Sequence, residues 1–242
     1  MIVAIQQPEH LPWIGFFNKM AQCDKFVFLD NVQFKKRYFE NRNKVKTNDG
    51  NKWLTVPVST KSKYAQNINE VIIDNESNWK KKYIGLLEYA YKKSNYWAEI
   101  KNIVTPCLDI KTKRLIDLNL SIIERCQDYL QIETPTISAS SLDLDQFSGS
   151  NLILKICLKL KADIYLSGPD GRNYLKNEEF NRNSIKILYH DFKHPTYPQL
   201  FGDFASHMSI IDLIANMGSK SSQIIKECYK IVIEGMVRGT EN

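Results

Sequence analysis

Three short polar segments hold most of the side chains that could do chemistry. The first, Gln6-Gln7-Pro8-Glu9-His10-Leu11-Pro12-Trp13-Ile14-Gly15, places two amides, a carboxylate, an imidazole and an indole among two prolines and a glycine. Each proline fixes its own φ and pushes Gln7 or Leu11 toward extended geometry, so the segment reads as a stiff loop suited to a ligand. Gln7 and Trp13 are its binding candidates. The second segment is Ser167-Gly168-Pro169-Asp170-Gly171-Arg172-Asn173-Tyr174. Its glycines let a ligand approach backbone N–H groups, and Arg172 offers a planar fork to phosphate or carboxylate. Ser167, Gly168, Asp170, Gly171, Arg172 and Tyr174 are therefore expected at a site. The third, His190-Asp191-Phe192-Lys193-His194-Pro195-Thr196-Tyr197-Pro198-Gln199, supplies His194, Tyr197 and Gln199. An imidazole titrates close enough to neutral pH to act as a general base, which makes His10 and His194 candidates. Asp30 joins them by position, at the end of an apolar run.

Other chemistries lack a signature. His190 and His194 are four apart, but Pro195 argues against a helix that would aim both at one metal, and no metal site is expected. The five cysteines form no Cys-x-x-Cys pair, which excludes zinc ribbons and thiol redox motifs. There is no Gly-x-x-x-x-Gly-Lys-Ser/Thr, no Gly-x-Gly-x-x-Gly and no Gly-x-Ser-x-Gly. A basic run, Lys35, Lys36, Arg37, Arg42, Lys44 and Lys46, is interleaved with Phe34, Tyr38 and Phe39. Such a run could stack on single-stranded nucleic acid or clamp the phosphates and base of one nucleotide-linked metabolite. Arg37 and Arg42, set among polar residues, favour the anion clamp, while Lys80-Lys81-Lys82 reads equally well as a solvated face. The net charge of +6, from 33 basic against 27 acidic residues, favours anionic partners only weakly.

The elements that must position these segments alternate. Ile2–Ile5 and Lys25–Leu29 are strand-like runs flanking a helix at Phe16–Ala21, a βαβ unit. Trp53–Val58, preceded by an Asn48-Asp49-Gly50 turn, and Ile68–Ile73 read as strands, with Pro57 confining the former to a sheet edge or its end. Helices follow at Trp79–Lys93, with Ser77 as N-cap, at Trp97–Val104, ended or interrupted by Pro106, and at Leu115–Leu130. Thr134–Ala139, Asp163–Ser167 and Ile185–Tyr189 are strand-like, Leu152–Leu160 is helical, and Met208–Met217 and Ile224–Met236 are closing helices. The pattern predicts a mainly parallel, Rossmann-like α/β sheet with helices on both faces, one domain over 1–242 with a helical insertion at about 77–130. In such a sheet ligands bind at the carboxyl ends of the strands, where all three polar segments fall. A hydrophobic content of 43% and charged content of 25% suit a soluble globular chain. No apolar stretch approaches the roughly 20 residues of a membrane span, and a cytoplasmic setting is expected.

At these residues the chain resembles the WbqC-like family. The matching blocks are Ile5-Gln6-Gln7-Pro8, Leu11-Pro12-Trp13-Ile14-Gly15-Phe16-Phe17, Asp24-Lys25-Phe26-Val27, Asp30-Asn31-Val32-Gln33-Phe34 and Asn41-Arg42-Asn43. Further blocks are Trp53-Leu54-Thr55-Val56-Pro57-Val58, Tyr165-Leu166-Ser167-Gly168, His194-Pro195 with Tyr197-Pro198-Gln199, and Ser209-Ile210-Ile211-Asp212-Leu213. The pattern departs at Gln6 and Tyr83, where relatives frequently carry His, and at His10, where they carry an aromatic. The resemblance implies an accessory enzyme of surface-polysaccharide (O-antigen, lipopolysaccharide) synthesis. Its expected reaction attaches an acyl or aminoacyl group to the amine of a nucleotide-linked deoxy-amino sugar. His10, Asp30 or His194 would then accept the amine proton, with Gln33 and Asn41 added to the contacts. The donor is unknown; an activated acyl compound or ATP fits. Three alternatives stand beside this: an ATP-using ligase or nucleotidyltransferase, although His10 is followed by Leu-Pro-Trp and not by the His-x-Gly-His spacing; a non-catalytic nucleotide-sugar binding protein; and, last, nucleic-acid binding. A homodimer is compatible with the chain.

Overall fold

The computed structural model describes residues 1–59, 65–109 and 112–228. Strand β1 (Ile2–Gln6) leads through helix α1 (Ile14–Ala21) to β2 (Lys25–Phe28), then to a hairpin of β3 (Arg42–Thr47) and β4 (Gly50–Thr55). Three helices follow, α2 (Trp79–Tyr91), α3 (Trp97–Asp109) and α4 (Leu115–Tyr129). The chain then runs β5 (Thr136–Ser138), α5 (Gly149–Lys159), β6 (Ile164–Ser167), α6 (Asn177–Arg182), β7 (Lys186–Tyr189), α7 (Ile210–Met217) and α8 (Lys220–Glu227). The main sheet has five strands in the order β5-β2-β1-β6-β7. Every pairing in it is parallel. This is a Rossmann-like α/β fold, and the strand order reverses between β1 and β6.

Period-two alternation in β1 explains its central place. Ile2 and Ala4 face one core, shared with Phe16, Phe17 and Met20 of α1 and with the buried faces of α2, α3, α4 and α7. Val3 and Ile5 face the other, with Leu152, Ile153, Ile156 and Cys157 of α5 and Phe180 of α6. A strand buried on both sides must be apolar throughout, and β1 is, until Gln6 at its carboxyl end.

Several local expectations change. Ile68–Ile73 is not a strand: Ile68–Glu70 is a 3-10 turn closed by a reciprocal Asn67/Glu70 capping box, and Ile72 and Ile73 make only isolated bridges. Pro57 falls just beyond β4, so the Asp49-Gly50 turn joins β4 instead to Arg42–Thr47, a lysine-rich segment whose alternation is masked by charge. Pro106 does not end α3, which runs on to Asp109. A proline frees the carbonyl four residues back, and that of Asn102 accepts from Arg125 Nη1 at 3.4 Å. Helix α2 is capped at Asn78, one residue after Ser77. The six-residue α6 is a helix that the sequence reading does not predict. Residues 229–236 of the expected last helix lie outside the described residues. No helix among the described residues is long and apolar enough to cross a membrane.

Candidate active site

The reversal of strand order sets the loops after β1 and β6 beside each other, and the loop after β7 joins them through the His190 N–H, which donates to the Ser167 carbonyl at 2.8 Å. Helix α1 reaches the same rim. Its Phe16, Phe17 and Met20 fill the core, yet Asn18 and Lys19 are buried beside them at 0% and 3% exposure. Buried polar groups must be partnered, and these two find partners at the strand ends. Asn18 Nδ2 donates to the Ile225 carbonyl at 2.9 Å, which leaves Oδ1 to accept from His190 Nε2 at 2.6 Å. His190 Nδ1 is then a lone-pair acceptor. Burial, helped by the Lys19 charge, lowers the His190 pKa to about 4, so the ring is neutral at pH 7.

Lys19 Nζ donates to the Ile5 carbonyl at 2.9 Å and to Gln6 Oε1 at 3.2 Å. Burial pulls its pKa down to about 8, against the opposing pull of Cys23 and Glu9. Gln6 passes the contact on, since its Nε2 donates to Glu9 Oε1 at 3.1 Å. The other oxygen of Glu9, Oε2, is out of solvent with no hydrogen-bond partner among the described residues. Burial raises Glu9 to about 7; the Gln6 hydrogen bond and Lys19 oppose this, and Glu40 adds to it. Glu40 is 1% exposed and neither of its carboxylate oxygens meets a side-chain donor or a well-aligned N–H among the described residues. Burial raises its pKa too, partly offset by its own N–H and by the N–H and charge of Lys35. Tyr38 is exposed, and partial burial and then the carboxylates of Glu9, Glu40 and Asp170 push its phenol pKa up.

Two aromatic surfaces flank these groups. The Trp13 indole stacks on His207 at 5.1 Å and on His194 at 6.2 Å between ring centroids, with Phe192 edge-on at 5.1 Å. This joins the first and third sequence segments. Gly15 makes room for it: a Cβ there would lie 2.2 Å from an indole carbon. On the hairpin, the Arg42 guanidinium lies 4.0 Å from the centroid of the exposed Trp53 ring, with Lys44 Nζ 5.2 Å from the same ring.

The expected bases are placed otherwise. His10 is fully buried, with Nδ1 on Asn119 Oδ1 at 2.9 Å and Nε2 on the Tyr83 hydroxyl at 2.8 Å. Burial lowers its pKa to about 4, and a ring with both nitrogens engaged inside the core has no reach to a ligand. Asp30 clasps Ser140, accepting from its N–H at 2.9 Å and its hydroxyl at 2.6 Å, and so ties β2 to the segment after β5. His194 donates from Nδ1 to the Pro195 carbonyl at 2.8 Å and accepts at Nε2 from the His207 N–H at 3.1 Å. Neither nitrogen is free for a substrate proton in this arrangement.

The binding candidates divide. Tyr197 and Gln199 donate to Asp212 Oδ2 at 2.9 and 2.7 Å, and Tyr91 donates to Oδ1 at 2.9 Å, a buried knot that holds α7. Asn41 donates to the Val56 carbonyl at 2.9 Å and is likewise buried, which leaves only its Oδ1 unpartnered. Ser167 and Gly171 are buried against each other; a Cβ on Gly171 would sit 2.0 Å from Ser167 Oγ. Gly168 faces open space, and Gln7 is partly exposed. Asp170, Arg172 and Tyr174 are exposed beside it, the Arg172 guanidinium 4.2 Å from the Tyr189 ring centroid. Gln33 and Arg37 are exposed on the segment after β2, where the Arg37 carbonyl accepts from Arg42 Nη2. A groove of about 450 Å³ along β5, between Gln127 and Ser138, contains none of these residues.

Sequence reasoning passed over Lys19, Glu9, Glu40 and Asn18. A signal existed for the α1 pair, two polar residues inside an apolar helical run. Glu9 lay within the first segment, but its flanking imidazole drew the base assignment. Nothing local distinguishes Glu40.

Fold and rim together define a Rossmann-like protein with polar loops at the switch point of its sheet. The family model of the WbqC-like protein family matches residues 7–224, and the chain belongs to that family. It is 34% identical over 229 residues to an uncharacterized protein, Rv1507c, of Mycobacterium tuberculosis (strain ATCC 25618 / H37Rv), covering 93% of this chain and 98% of the relative. No solved structure matches the chain.

Proposed function

We propose that the chain transfers an acyl or aminoacyl group to the amine of a nucleotide-linked deoxy-amino sugar during surface-polysaccharide synthesis, in the cytoplasm. Family membership and the family's link to O-antigen genes support the pathway. Glu9 carries the chemical argument: an unpartnered carboxylate oxygen at the switch point, held to about 7 by burial, is suited to take a proton from an amine at neutral pH. The amine attacks the carbonyl carbon of an activated acyl donor, such as a thioester or acyl phosphate. The C–N bond forms, the bond to the donor's leaving group breaks, the leaving group departs with its electron pair, and Glu9 takes a nitrogen-bound proton. The Arg42–Trp53 pair, with its indole exposed, supports diphosphate and base binding, and the open Gly168 loop with Arg172 adds a second anion contact.

The test is product formation. Nucleotide amino sugars are incubated with thioester and acyl-phosphate donors, and the mass gain of the sugar nucleotide is followed. Glu9→Gln should lower kcat by roughly 10²- to 10⁴-fold with a much smaller change in KM. Product formed at the wild-type rate by that variant would remove Glu9 as the base. Absence of product across the panel, with nucleotide-sugar binding intact, would favour a non-catalytic binding protein.

A further inference from the structure

Glu9 and Glu40 are held close together: the His10 N–H donates to the Phe39 carbonyl at 2.8 Å, and Asn119, which meets the His10 ring, donates from Nδ2 to the Glu40 carbonyl at 2.7 Å. The Glu40 charge accordingly raises Glu9. Of their four carboxylate oxygens only Glu9 Oε1 has a side-chain partner, the Gln6 amide. Glu9 Oε2 and both oxygens of Glu40 are buried without a well-formed hydrogen bond among the described residues. Two like charges out of water, helped only by the backbone N–H groups of Glu40 and Lys35 at Glu40, destabilise a fold unless something else completes them. The nearby cations do not. Lys19 Nζ is engaged by the Ile5 carbonyl and Gln6. Lys35 lowers Glu40 through its field, yet its Nζ sits 5.1 Å from the centroid of the Tyr38 ring. Arg42 is directed at Trp53 and the Arg37 carbonyl.

We propose that Glu9 and Glu40 form a subsite for a primary ammonium group, so that the substrate amine is bound as its cation before it reacts. An –NH₃⁺ group carries three donors and no acceptor, and the pair presents three buried oxygens that lack a well-formed hydrogen bond. Tyr38 is exposed beside the pair, and Asp170 adds to the negative field that would draw a cation in. The inference deepens the acyl-transfer reading by fixing the charge state of the nucleophile: an amine is selected over a hydroxyl because only the amine carries charge. The ammonium gives one proton to the pair on becoming the free amine, and the adduct formed by attack loses a second. The departing donor group or the second carboxylate takes that one.

The test needs neither acyl donor nor nucleotide, so it can fail or succeed independently of turnover. The full chain is labelled with ¹³C at the glutamate carboxyl carbon, and the Glu9 and Glu40 signals are assigned with Glu9→Gln and Glu40→Gln. Methylammonium chloride is then titrated at pH 8 and constant ionic strength, with tetramethylammonium and calcium chlorides as parallel arms. Methylammonium should move both signals along one saturable curve with a shared Kd. Glu40→Gln should raise that Kd at least ten-fold, and tetramethylammonium, which has no N–H, should leave the signals where they are. Glu40→Asp keeps the charge but shortens its reach, and should weaken methylammonium several-fold; it replaces Glu40→Gln should that variant not fold. Unmoved signals, or equal responses to both ammonium ions, would overturn the subsite. A tighter calcium response at the same two signals would overturn the ammonium assignment in favour of a metal.

Discussion

Glu9→Gln should make the protein more stable at pH 8 while removing its proposed activity. The wild-type carboxyl titrates at about 7 in the folded chain against 4.5 for an unperturbed glutamate, so between those values the folded state holds a proton that the unfolded state has lost. A group with a raised folded-state pKa gives its full contribution below the unfolded value, and that contribution erodes as pH rises through the folded one. Above pH 7 the ionised Glu9 therefore costs the native state about 3 kcal/mol, at 1.36 kcal/mol per pKa unit. Gln keeps the shape, still accepts the Gln6 amide at Oε1 and is never charged. Urea unfolding of both proteins at pH 5 and pH 8 measures the difference. The variant should gain about 3 kcal/mol over wild type at pH 8 and lose most of that gain by pH 5. In urea, with a slope of about 2 kcal/mol per molar, this shifts the midpoint by roughly 1.5 M. Parallel pH profiles for the two proteins would refute the claim that Glu9 is held uncompensated at the rim, and the general-base argument would fall with it.

Other perturbations separate framework from rim. His10→Ala leaves Asn119 and Tyr83 unpartnered in the core and should cost about 2–4 kcal/mol by urea unfolding. Because the His10 pKa is lowered to about 4, wild type should lose stability relative to His10→Gln as pH falls from 6.5 toward 4; an unchanged difference would mean that the ring is not held neutral. Gly15→Ala drives a methyl against the Trp13 indole and should displace the Trp13–His194–His207 stack, read as a change in near-UV circular dichroism together with a lower melting temperature. Arg172→Ala, at an exposed position, should weaken nucleotide-sugar binding without lowering the melting temperature; unchanged affinity would remove its anion-clamp role.

The sheet was legible because burial on both faces leaves a simple mark. Ile2–Ile5, Lys25–Leu29, Asp163–Ser167 and Ile185–Tyr189 are short apolar runs ending in polar loops, and all four became adjacent parallel strands. The hairpin β3–β4 was half legible: its Asp-Gly turn could be read, but the lysines of Arg42–Thr47 hide the apolar alternation at Val45. Pro106 misled because the cost of a proline in a helix depends on whether the freed carbonyl finds another donor, and Arg125 is 23 positions from Asn102. The site was legible in its loops and opaque in its roles. His10, Tyr197 and Gln199 lie in polar segments, yet their partners, Asn119, Tyr83 and Asp212, come from helices far off in sequence. Whether a polar residue serves ligand or framework depends on such partners, and spacing does not carry that information.

The framework also explains where uncompensated charge can persist. The rim residues with partners form closed sets: His10 with Asn119 and Tyr83, Asp30 with Ser140, Asp212 with three donors. Each set fastens a loop or helix around the carboxyl end of β1. Glu9 and Glu40 differ in being only partly engaged: Gln6 holds one oxygen of Glu9, and Asn119 holds the Glu40 carbonyl at 2.7 Å, while the remaining carboxylate oxygens stay outside the sets. A carboxylate free to move would turn to water and regain its hydration; one set in a loop stiffened by Pro8 and Pro12, or fixed beside the buried Asn41, has less freedom to do so. The closed networks are what let the open pair remain ionisable and dry, and a buried charge kept ready for a ligand's proton or cation is the preorganisation that a base at this position would need.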